Sequence, residues 1–310
     1  YQKMNIAIIA PKIKLESWIN VFSKYSQNIN LHIWPDIKDK SSIDCICLWK
    51  HPEGILKSFV NLKLIHSMGA GVDHILRDKS LPAHIPICRI SDEKLSFSMS
   101  NYIIMAVLFY HRRILKYQDD KINKIWDSKT HPEIPVKIGI LGYGYLGSDA
   151  GNKLKNLGFE VIGYSLRKKT NINVEHYHGD DLKIFLSKIN VLVCTVPYTN
   201  KTENLLSQDL FDILNDGTYL INVSRGKVQN EKDILRYIKN GKLSGAFLDV
   251  FENEPLPNKS EIWNEKRIQI TPHNASITNE EAAVPQIIDN LCRVIEGRKL
   301  ENQVNLNEGY

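Results

Sequence analysis

Short, uninterrupted runs of apolar residues recur along the chain and alternate with segments of helical periodicity. Runs without polar alternation are what strands covered on both faces require, so they predict parallel sheets with helices on both sides. A first set lies between residues 4 and 90, and a second, stronger set begins at residue 136. Strands of the second set are predicted in VKIGILG, FEVIGYS, VLVCTVP, GTYLINVS, LSGAFLDVF and RIQITPH.

A long apolar-periodic segment separates the two sets. The stretch SFSMSNYIIMAVLFYHRRILKYQ, within residues 91–126, predicts one extended helix that connects two domains. The 310 residues also exceed what one compact core usually spans. The pattern therefore predicts a small α/β layer domain followed by a larger domain built on a parallel sheet.

Composition narrows the class of protein. The chain is 43% apolar and 24% charged, and its net charge of +5 is spread along the sequence, which gives little support for nucleic-acid binding. The most apolar stretch, residues 102–110, is too short to span a membrane, and no signal peptide precedes the first strand. The five cysteines lie mostly in apolar runs and show no metal-ligand spacing. We expect a cytoplasmic protein that uses no metal.

A glycine-rich motif directly follows the first strand of the second set. Gly142, Gly144 and Gly147 form a GxGxxG that ends a strand and opens a helix. The first glycine allows the turn, the second lets the backbone approach a pyrophosphate, and the third lets helix and strand pack closely. With Tyr145 and Leu146 at the start of the helix, the motif predicts a dinucleotide site rather than a glycine turn without a ligand.

The end of the next strand bears on which dinucleotide is bound. NAD enzymes usually carry an acidic residue about 20 residues after the motif, to bind the ribose hydroxyls. Here Ser165 is followed by Arg167 and Lys168, which could bind a 2′-phosphate that no carboxylate repels. NADP(H) is therefore the favoured cofactor and NAD(H) the alternative. A solvated basic loop beside an unselective site would explain the same residues.

Three further residues each follow a predicted strand of the second set. Arg225 can hold a carboxylate with its planar guanidinium, and His273 can donate or accept a proton near neutral pH. Glu254 would orient the imidazole and favour its charged form. Taken singly, they could be a surface cation, a loop acid and a turn histidine. Together at strand ends they predict reduction of a 2-keto acid.

These residues stand in segments that resemble the D-isomer-specific 2-hydroxyacid dehydrogenases, and most closely their glyoxylate/hydroxypyruvate reductase A branch. The segments are HSMGAGVDHI, ILGYGYLGSDA, INVSRGKV, LDVFENEPLP and ITPHNASIT. The resemblance covers nearly the whole chain and implies a homodimer. It also implies a Rossmann-type doubly wound parallel sheet domain, residues 99–278, plus a smaller flavodoxin-like α/β substrate domain, residues 1–98 and 279–310.

The resemblance assigns further contacts. The backbone of Met68, Gly69, Ala70 and Gly71 would meet the substrate carboxylate, and Trp49 would wall the pocket. A tight turn and a core tryptophan are the alternatives. Asp249 would contact the nicotinamide amide, although it could instead accept bonds from backbone groups at the core edge. The other cofactor contacts implied are Thr195, Val196, Pro197, Thr202, Val223 and Ser224.

Departures from the family pattern leave some alternatives open. Relatives often carry an arginine directly after the serine of the second strand, where this chain has Leu166 before Arg167. The expected reaction is NADPH-dependent reduction of glyoxylate or hydroxypyruvate to a D-2-hydroxy acid. A larger 2-keto acid and a non-catalytic corepressor that senses the dinucleotide are the alternatives. A methyltransferase would not explain the residues at the strand ends, and Glu254 disfavours formate oxidation.

Overall fold

The computed structural model describes residues 3–310, which form two compact units. The first unit runs up to Leu95 and also includes Ile277–Tyr310, whereas the second is Ser96–Ser276. The helix Glu93–His111 continues from one unit into the other. Because no turn interrupts that helix, the sequence carries no local signal for the boundary, and the boundaries at 98 and 279 stay a prediction.

Strands and helices alternate through both units. The strands are β1 (Met4–Ile9), β2 (Ile29–Ile33), β3 (Cys45–Leu48), β4 (Leu64–Ser67), β5 (Ile87–Cys88), β6 (Lys137–Leu141), β7 (Glu160–Ser165), β8 (Glu175–His178), β9 (Val191–Cys194), β10 (Thr218–Asn222), β11 (Leu243–Leu248) and β12 (Ile268–Ile270). The α-helices are α1 (Glu16–Ser23), α2 (Asp73–Leu76), α3 (Glu93–His111), α4 (Ile114–Asn123), α5 (Tyr145–Asn156), α6 (Leu182–Ser187), α7 (Gln208–Phe211), α8 (Glu231–Lys239) and α9 (Glu280–Ile295).

The first unit is built on a parallel sheet in the order β2-β1-β3-β4-β5. Successive side chains of β1 enter different cores, Ile6 and Ile8 on one face and Ala7 and Ile9 on the other. Both faces are therefore covered, which explains why the strand is apolar throughout. The order is that of flavodoxin-like folds, as predicted.

The second unit is built on a parallel sheet in the order β12-β11-β10-β9-β6-β7-β8. From β6 the chain moves outward to β7 and β8, and then returns to the other side of β6 at β9. The strand order thus reverses between β6 and β9. Open α/β sheets bind ligands beyond the carboxyl ends of the strands at such a point, and the predicted doubly wound fold is confirmed.

The connecting helix differs from the prediction of one extended helix. It consists of α3 and α4, separated by Arg112 and Arg113, and the φ of 56° at Arg113 lies in the left-handed region. The Arg113 Nε donates to the His131 carbonyl at 2.8 Å, which helps to hold this conformation. No glycine or proline stands at the break, so the usual sequence signals for a helix end are missing there.

Several findings concern the part of the chain that the structure describes. No helix in residues 3–310 is long and apolar enough to cross a membrane. No group of three or more His, Cys, Asp and Glu side chains within that range could hold a metal ion. The cysteines are free thiols, and Cys45, Cys47, Cys88 and Cys194 are buried.

Candidate active site

The three candidate catalytic residues follow three neighbouring strands. Arg225 comes after β10, Glu254 after β11 and His273 after β12, and these strands lie side by side in the order β12-β11-β10. Because the strands are parallel, their carboxyl ends meet at one edge of the sheet. The fold therefore delivers all three residues to the edge where dinucleotide folds bind their ligands.

Glu254 and His273 form a direct pair. The Nδ1 of His273 lies 2.8 Å from Oε2 and 3.0 Å from Oε1 of Glu254. The carboxylate accepts, so Nδ1 carries the proton of this bond and Nε2 is left to face another molecule. The two side chains retain 28% and 23% of their exposure, so the pair is accessible. This geometry suits a proton donor that is held in one orientation.

Asp249 supports the turn that carries His273. His273 has a φ of 53°, which is uncommon for a residue other than glycine. Asp249 is 1% exposed, and its carboxylate accepts from Thr271 Oγ1 at 2.6 Å and from the backbone N–H groups of Asn274 and Ala275, each at 2.9 Å. Asp249 thus satisfies backbone groups, the alternative noted above. A contact to the nicotinamide stays a prediction.

Arg225 stands on a turn that packs tightly against the loop after β11. Its Nη1 donates to the Ser224 carbonyl at 2.7 Å, and the residue is half-buried. The next residue, Gly226, is so close to that loop that an added Cβ would lie 1.7 Å from the Phe251 carbonyl oxygen. Only glycine fits there, and the close approach couples the Arg225 turn to the loop that carries Glu254.

A buried amide network, which sequence reasoning missed, joins the same two segments. Asn222 Oδ1 accepts from the Ser224 N–H at 3.0 Å and from Ser224 Oγ at 2.8 Å. Asn222 Nδ2 donates to Gln229 Oε1 at 2.8 Å, and Gln229 Nε2 donates to the Val250 carbonyl at 2.9 Å. Buried amides must satisfy each group, so this chain of bonds positions the backbone on both sides of Arg225. No local sequence signal indicates this network, because Gln229 meets the Val250 carbonyl 21 residues further along the chain.

Two glutamates add a second connection between these segments. The Glu231 N–H donates to Glu252 Oε1, and the Glu252 N–H donates to Glu231 Oε1, each at 2.7 Å. Burial raises the pKa of Glu231, and the nearby Glu252 charge acts in the same direction. The start of α8 is thereby bound to the loop that leads to Glu254.

The glycine loop has the geometry that the motif predicts. Gly142 has a φ of +102°, and the N–H groups of Gly142 and Tyr143 donate to the Tyr164 carbonyl at 3.0 and 2.8 Å. A Cβ at Gly147 would lie 2.4 Å from the Gly142 carbonyl oxygen, so α5 can pack against the loop only with glycine there. These two glycines serve the turn and the packing.

The middle glycine leaves space for a ligand. A Cβ at Gly144 would meet only the Gly142 carbonyl oxygen, at 3.9 Å, so the side of the loop ahead of α5 is open. The first N–H groups of an α-helix, here at Tyr145, Leu146 and Gly147, lack partners within the helix and can bind an anion. The loop therefore fits the pyrophosphate of a dinucleotide.

Residues after β9 border this space. The Thr195 N–H donates to the Leu141 carbonyl at 2.9 Å, and its Oγ1 donates to the Gly142 carbonyl at 2.7 Å. A Cβ at Gly142 would also lie 2.8 Å from the Val196 nitrogen. Thr202 Oγ1 donates to the Pro197 carbonyl at 2.7 Å, which closes the loop on itself. The structure thus brings Thr195 and Val196 to the glycine loop.

Val223 and Ser224 belong to the segment between β10 and Arg225, and both are buried. The Val223 N–H donates to the Cys194 carbonyl at 3.2 Å, so this segment lies beside the end of β9. Ser224 Oγ serves the Asn222 amide described above. Contacts of these two residues with the cofactor stay a prediction.

The end of β7 carries the residues that are predicted to select the dinucleotide. Ser165 Oγ donates to the Arg167 carbonyl at 2.8 Å and lies 2.8 Å from His176 Nε2. Arg167 and Lys168 are exposed in the loop that follows. A serine and two cations, with no carboxylate between residues 165 and 170, fit a 2′-phosphate better than two free ribose hydroxyls.

The predicted substrate residues lie in the first unit. Ser67 Oγ donates to the Gly71 carbonyl at 2.7 Å and accepts from the Gly69 N–H at 3.2 Å, which closes the turn after β4. Met68 is buried, whereas Ala70 and Gly71 are partly exposed. Trp49 packs on this turn, since a Cβ at Gly69 would lie 2.7 Å from its Cζ3 atom. These five predicted residues, Trp49, Met68, Gly69, Ala70 and Gly71, are therefore neighbours.

Comparison with known proteins places these features in one family. The family described as D-isomer specific 2-hydroxyacid dehydrogenase, NAD binding domain, matches residues 104–275. A glyoxylate/hydroxypyruvate reductase A of Yersinia enterocolitica is 34% identical over 99% of this chain and its own full length. One from Salmonella heidelberg is 33% identical over the same shares.

Solved structures show the same similarity. A D-isomer specific 2-hydroxyacid dehydrogenase from Xanthobacter autotrophicus, in complex with NADPH and MES, matches over the full length of both chains with a TM-score of 0.94 and 31% identity. An NADPH-dependent glyoxylate/hydroxypyruvate reductase from Sinorhizobium meliloti, in complex with NADP and sulfate, has a TM-score of 0.94 and 32% identity. That match covers 99% of this chain and all of the other.

Proposed function

Because the chain belongs to the D-isomer-specific 2-hydroxyacid dehydrogenase family, we propose that it reduces glyoxylate and hydroxypyruvate to D-2-hydroxy acids with NADPH. The observation that carries the proposal is the Glu254–His273 pair, which stands with Arg225 at the edge of the sheet that bears the glycine loop. Relatives with this reductase activity match the whole chain.

The three residues divide the work of the reaction. Arg225 binds the substrate carboxylate through its guanidinium, which can form two parallel hydrogen bonds. His273 donates the proton on Nε2 to the carbonyl oxygen as the carbonyl carbon becomes tetrahedral. Glu254 holds Nδ1 with both oxygens, so the imidazole keeps one orientation and its positive charge is balanced. In the reverse direction His273 Nε2 accepts the hydroxyl proton.

The cofactor, when bound, supplies the hydride that the carbonyl carbon receives. Gly142, Gly144 and Gly147 would hold its pyrophosphate, and Thr195 and Val196 would border its nicotinamide half. NADP(H) is the preferred form, because Ser165 and the cations after it suit a 2′-phosphate. NADP-bound relatives of the same fold support this preference.

The proposal also assigns substrate contacts in the first unit. In the turn Met68–Gly71, the N–H groups of Met68 and Gly69 already donate to the Leu48 carbonyl and to Ser67 Oγ. The carboxylate contact is therefore assigned to the N–H groups of Ala70 and Gly71, since such a turn can bind an anion. The ring of Trp49 would limit the size of the substrate side chain, since it packs directly on Gly69. A small acid such as glyoxylate is therefore favoured over 2-oxoisocaproate.

Loss of the absorbance of the reduced cofactor tests the proposal. NADPH and NADH are assayed in parallel against glyoxylate, hydroxypyruvate, pyruvate and 2-oxoisocaproate, with His273→Ala as the matched control. Turnover of glyoxylate and hydroxypyruvate with NADPH, lowered by about 10²-fold or more in the control, is the expected result. Turnover of 2-oxoisocaproate alone would favour a larger substrate. NADPH binding without turnover of any acid would favour a corepressor.

Location and assembly extend the proposal. We assign the protein to the cytoplasm, where glutathione and thioredoxin keep cysteines reduced, because its five cysteines are free thiols.

We also assign it a homodimeric state, supported by an exposed apolar group at the end of α4 that consists of Ile122, Ile125 and Trp126. Large apolar side chains clustered at a surface commonly mark a protein interface.

A further inference from the structure

His176 lies beside the residue that selects the cofactor. Its Nε2 is 2.8 Å from Ser165 Oγ, at the end of β7. β7 and β8 are parallel, with Gly163 opposite His176 and Ser165 opposite His178. Because side chains alternate along a strand, His176 and Ser165 project from the same face. The ring of Tyr143 occupies the space above Gly163, since a Cβ there would lie 2.6 Å from its Cγ atom.

The hydrogen bonds define the tautomer of this histidine. The single proton of the Ser165 hydroxyl is donated to the Arg167 carbonyl at 2.8 Å. The bond between Ser165 Oγ and His176 Nε2 therefore needs its proton on Nε2, and the imidazole is the donor. His176 thus fixes the orientation of the Ser165 hydroxyl, and Ser165 in turn holds the backbone of the basic loop at Arg167.

The groups around His176 set its charge. The ring of Tyr143, from the glycine loop, lies 6.1 Å away, and the ring of His178 lies 6.4 Å away on the same strand. Burial lowers the pKa of His176, and the charges of His178 and Lys169 lower it further. The carboxylate of Glu175, next on β8, is paired instead with Lys188 and Tyr177. Without a bound anion, His176 is therefore neutral at neutral pH.

We propose that His176 is a specificity-determining residue for NADPH, which orients Ser165 and becomes a cation beside the 2′-phosphate of the cofactor. The inference rests on the proposed function. A phosphate monoester carries between one and two negative charges near neutral pH, and a nearby anion favours the charged form of histidine. His176 would then supply the positive charge that relatives place directly after the serine, where this chain has Leu166. NADH has no such phosphate and would not protonate His176.

Cofactor binding without substrate tests the inference. Dissociation constants of NADPH and NADH are measured by fluorescence titration for the wild type, His176→Ala and His176→Gln. Glutamine keeps an N–H donor for Ser165 but cannot become charged. His178→Gln is the matched control, since it removes the neighbouring imidazole of the same strand. Melting temperatures check that each variant is folded.

The expected result separates the two cofactors. His176→Ala should weaken NADPH binding by about tenfold, as for the loss of a bond to a charged group, and leave NADH within about twofold. His176→Gln should bind NADPH almost as well as the wild type at about pH 8, but fall behind it as the pH is lowered to about 6. The phosphate also titrates in this range, so the difference between wild type and His176→Gln isolates the histidine. His178→Gln should bind NADPH at least as tightly as the wild type, because it keeps His176 and removes a charge that lowers the pKa of that histidine.

Other outcomes overturn the inference. Equal weakening of both cofactors in His176→Ala would mean that the residue only supports the fold of the loop. If both His176 variants bind NADPH as the wild type does, and the wild type is active, the role of His176 in cofactor selection is rejected. The proposed function would then still stand. A wild type that binds neither cofactor would reject the proposed function and the role of His176 with it.

Discussion

The pairing of His273 with Glu254 determines which of its nitrogens exchanges a proton with the substrate. Both oxygens of Glu254 engage Nδ1, so Nε2 is the donor available to a carbonyl oxygen. The left-handed backbone at His273 and the Asp249 bonds on either side of it fix the position of the ring. The placement of this atom is therefore a property of the turn as much as of the histidine.

Removing the proton donor should impair the chemical step. We expect His273→Ala to lower kcat by about 10²-fold or more, the usual contribution of a general acid, because water does not replace an oriented imidazole. Glu254→Gln should have a smaller effect on kcat, since it can still bind Nδ1 but does not balance the charge. Steady-state kinetics and NADPH titration measure both effects. Full activity in His273→Ala would reject the mechanism.

Arg225 should affect substrate binding as well as turnover. Arg225→Ala is expected to raise KM and lower kcat together, because the carboxylate loses its partner in both the ground state and the transition state. Arg225→Lys keeps the charge but loses the planar pair of donors. Its kcat/KM should therefore lie between those of the wild type and Arg225→Ala. Saturation curves for glyoxylate give both constants. A lysine variant equal to the wild type would show that charge alone suffices.

Asp249→Asn distinguishes the two interpretations of that residue. If Asp249 supports the turn, its replacement places an amide N–H against a backbone N–H, which should cost about 1–3 kcal/mol of unfolding free energy and lower kcat. If Asp249 contacts the nicotinamide, the main effect of the substitution should be a larger dissociation constant for NADPH. Chemical denaturation and cofactor titration are the two measurements. We expect the first outcome, given three acceptor bonds and 1% exposure.

At the level of strands and helices, the sequence carried most of the information. Apolar runs covered on both faces revealed the parallel strands, and residues directly after β10, β11 and β12 were placed together by topology alone. The glycine spacing revealed a loop in which Gly142 has a positive φ and Gly147 packs too closely for any side chain. These signals are local, so no knowledge of distant neighbours was needed.

Features that depend on distant neighbours could not be read in this way. The break at Arg113 involves a carbonyl 18 residues away and no helix-breaking residue. Gln229 satisfies a carbonyl 21 residues along the chain. His176 meets Ser165 only because β7 and β8 pair in one particular register. Side-chain partners across elements follow from packing, which periodicity does not specify.

One such partner predicts how stability depends on pH. His66 of β4 donates from Nδ1 to the Ser67 carbonyl at 2.8 Å, and Asn290 of α9 lies 3.4 Å from its Nε2. Burial lowers the pKa of His66 to about 4, whereas in the unfolded chain it lies near 6.5. Between these values the unfolded state binds the proton, so stability should fall by about 3 kcal/mol as the pH drops from 6.5 to 4.

The matched comparison for this prediction is His66→Gln. Glutamine does not titrate, so the unfolding free energy of the variant should change less over the same pH range. At neutral pH the variant should be less stable than the wild type. Urea denaturation at several pH values provides the curves. Parallel curves for both proteins would show that other groups, rather than His66, dominate the acid sensitivity.

At the scale of the whole molecule, the first unit is assembled from two distant parts of the chain. Helix α9 packs on α1, with Ser17 Oγ donating to Glu280 at 2.7 Å and Lys24 paired with Glu281 at 2.5 Å. Periodicity predicts that α9 is a helix, but it does not reveal the partner of its apolar face. Only the resemblance to known dehydrogenases indicated that the end of the chain belongs with its beginning.

The proposed dimer makes a prediction about the exposed group at the end of α4. Ile122, Ile125 and Trp126 are 77%, 55% and 95% exposed in the isolated chain. Burying such side chains is favourable by roughly 1.5–3 kcal/mol each, enough to contribute substantially to association. Trp126→Asp combined with Ile122→Asp should therefore shift the protein to a monomer, as measured by light scattering after gel filtration.

The control must change a similar residue elsewhere on the second unit. Ile184 of α6 is 51% exposed, so Ile184→Asp adds the same charge to a comparable isoleucine and should leave the dimer intact. Unchanged melting curves for the α4 variant at low concentration would show that the chain still folds. A monomeric wild type, or a dimer that survives both α4 substitutions, would reject this surface as the interface, since the contact would then lie elsewhere or not form.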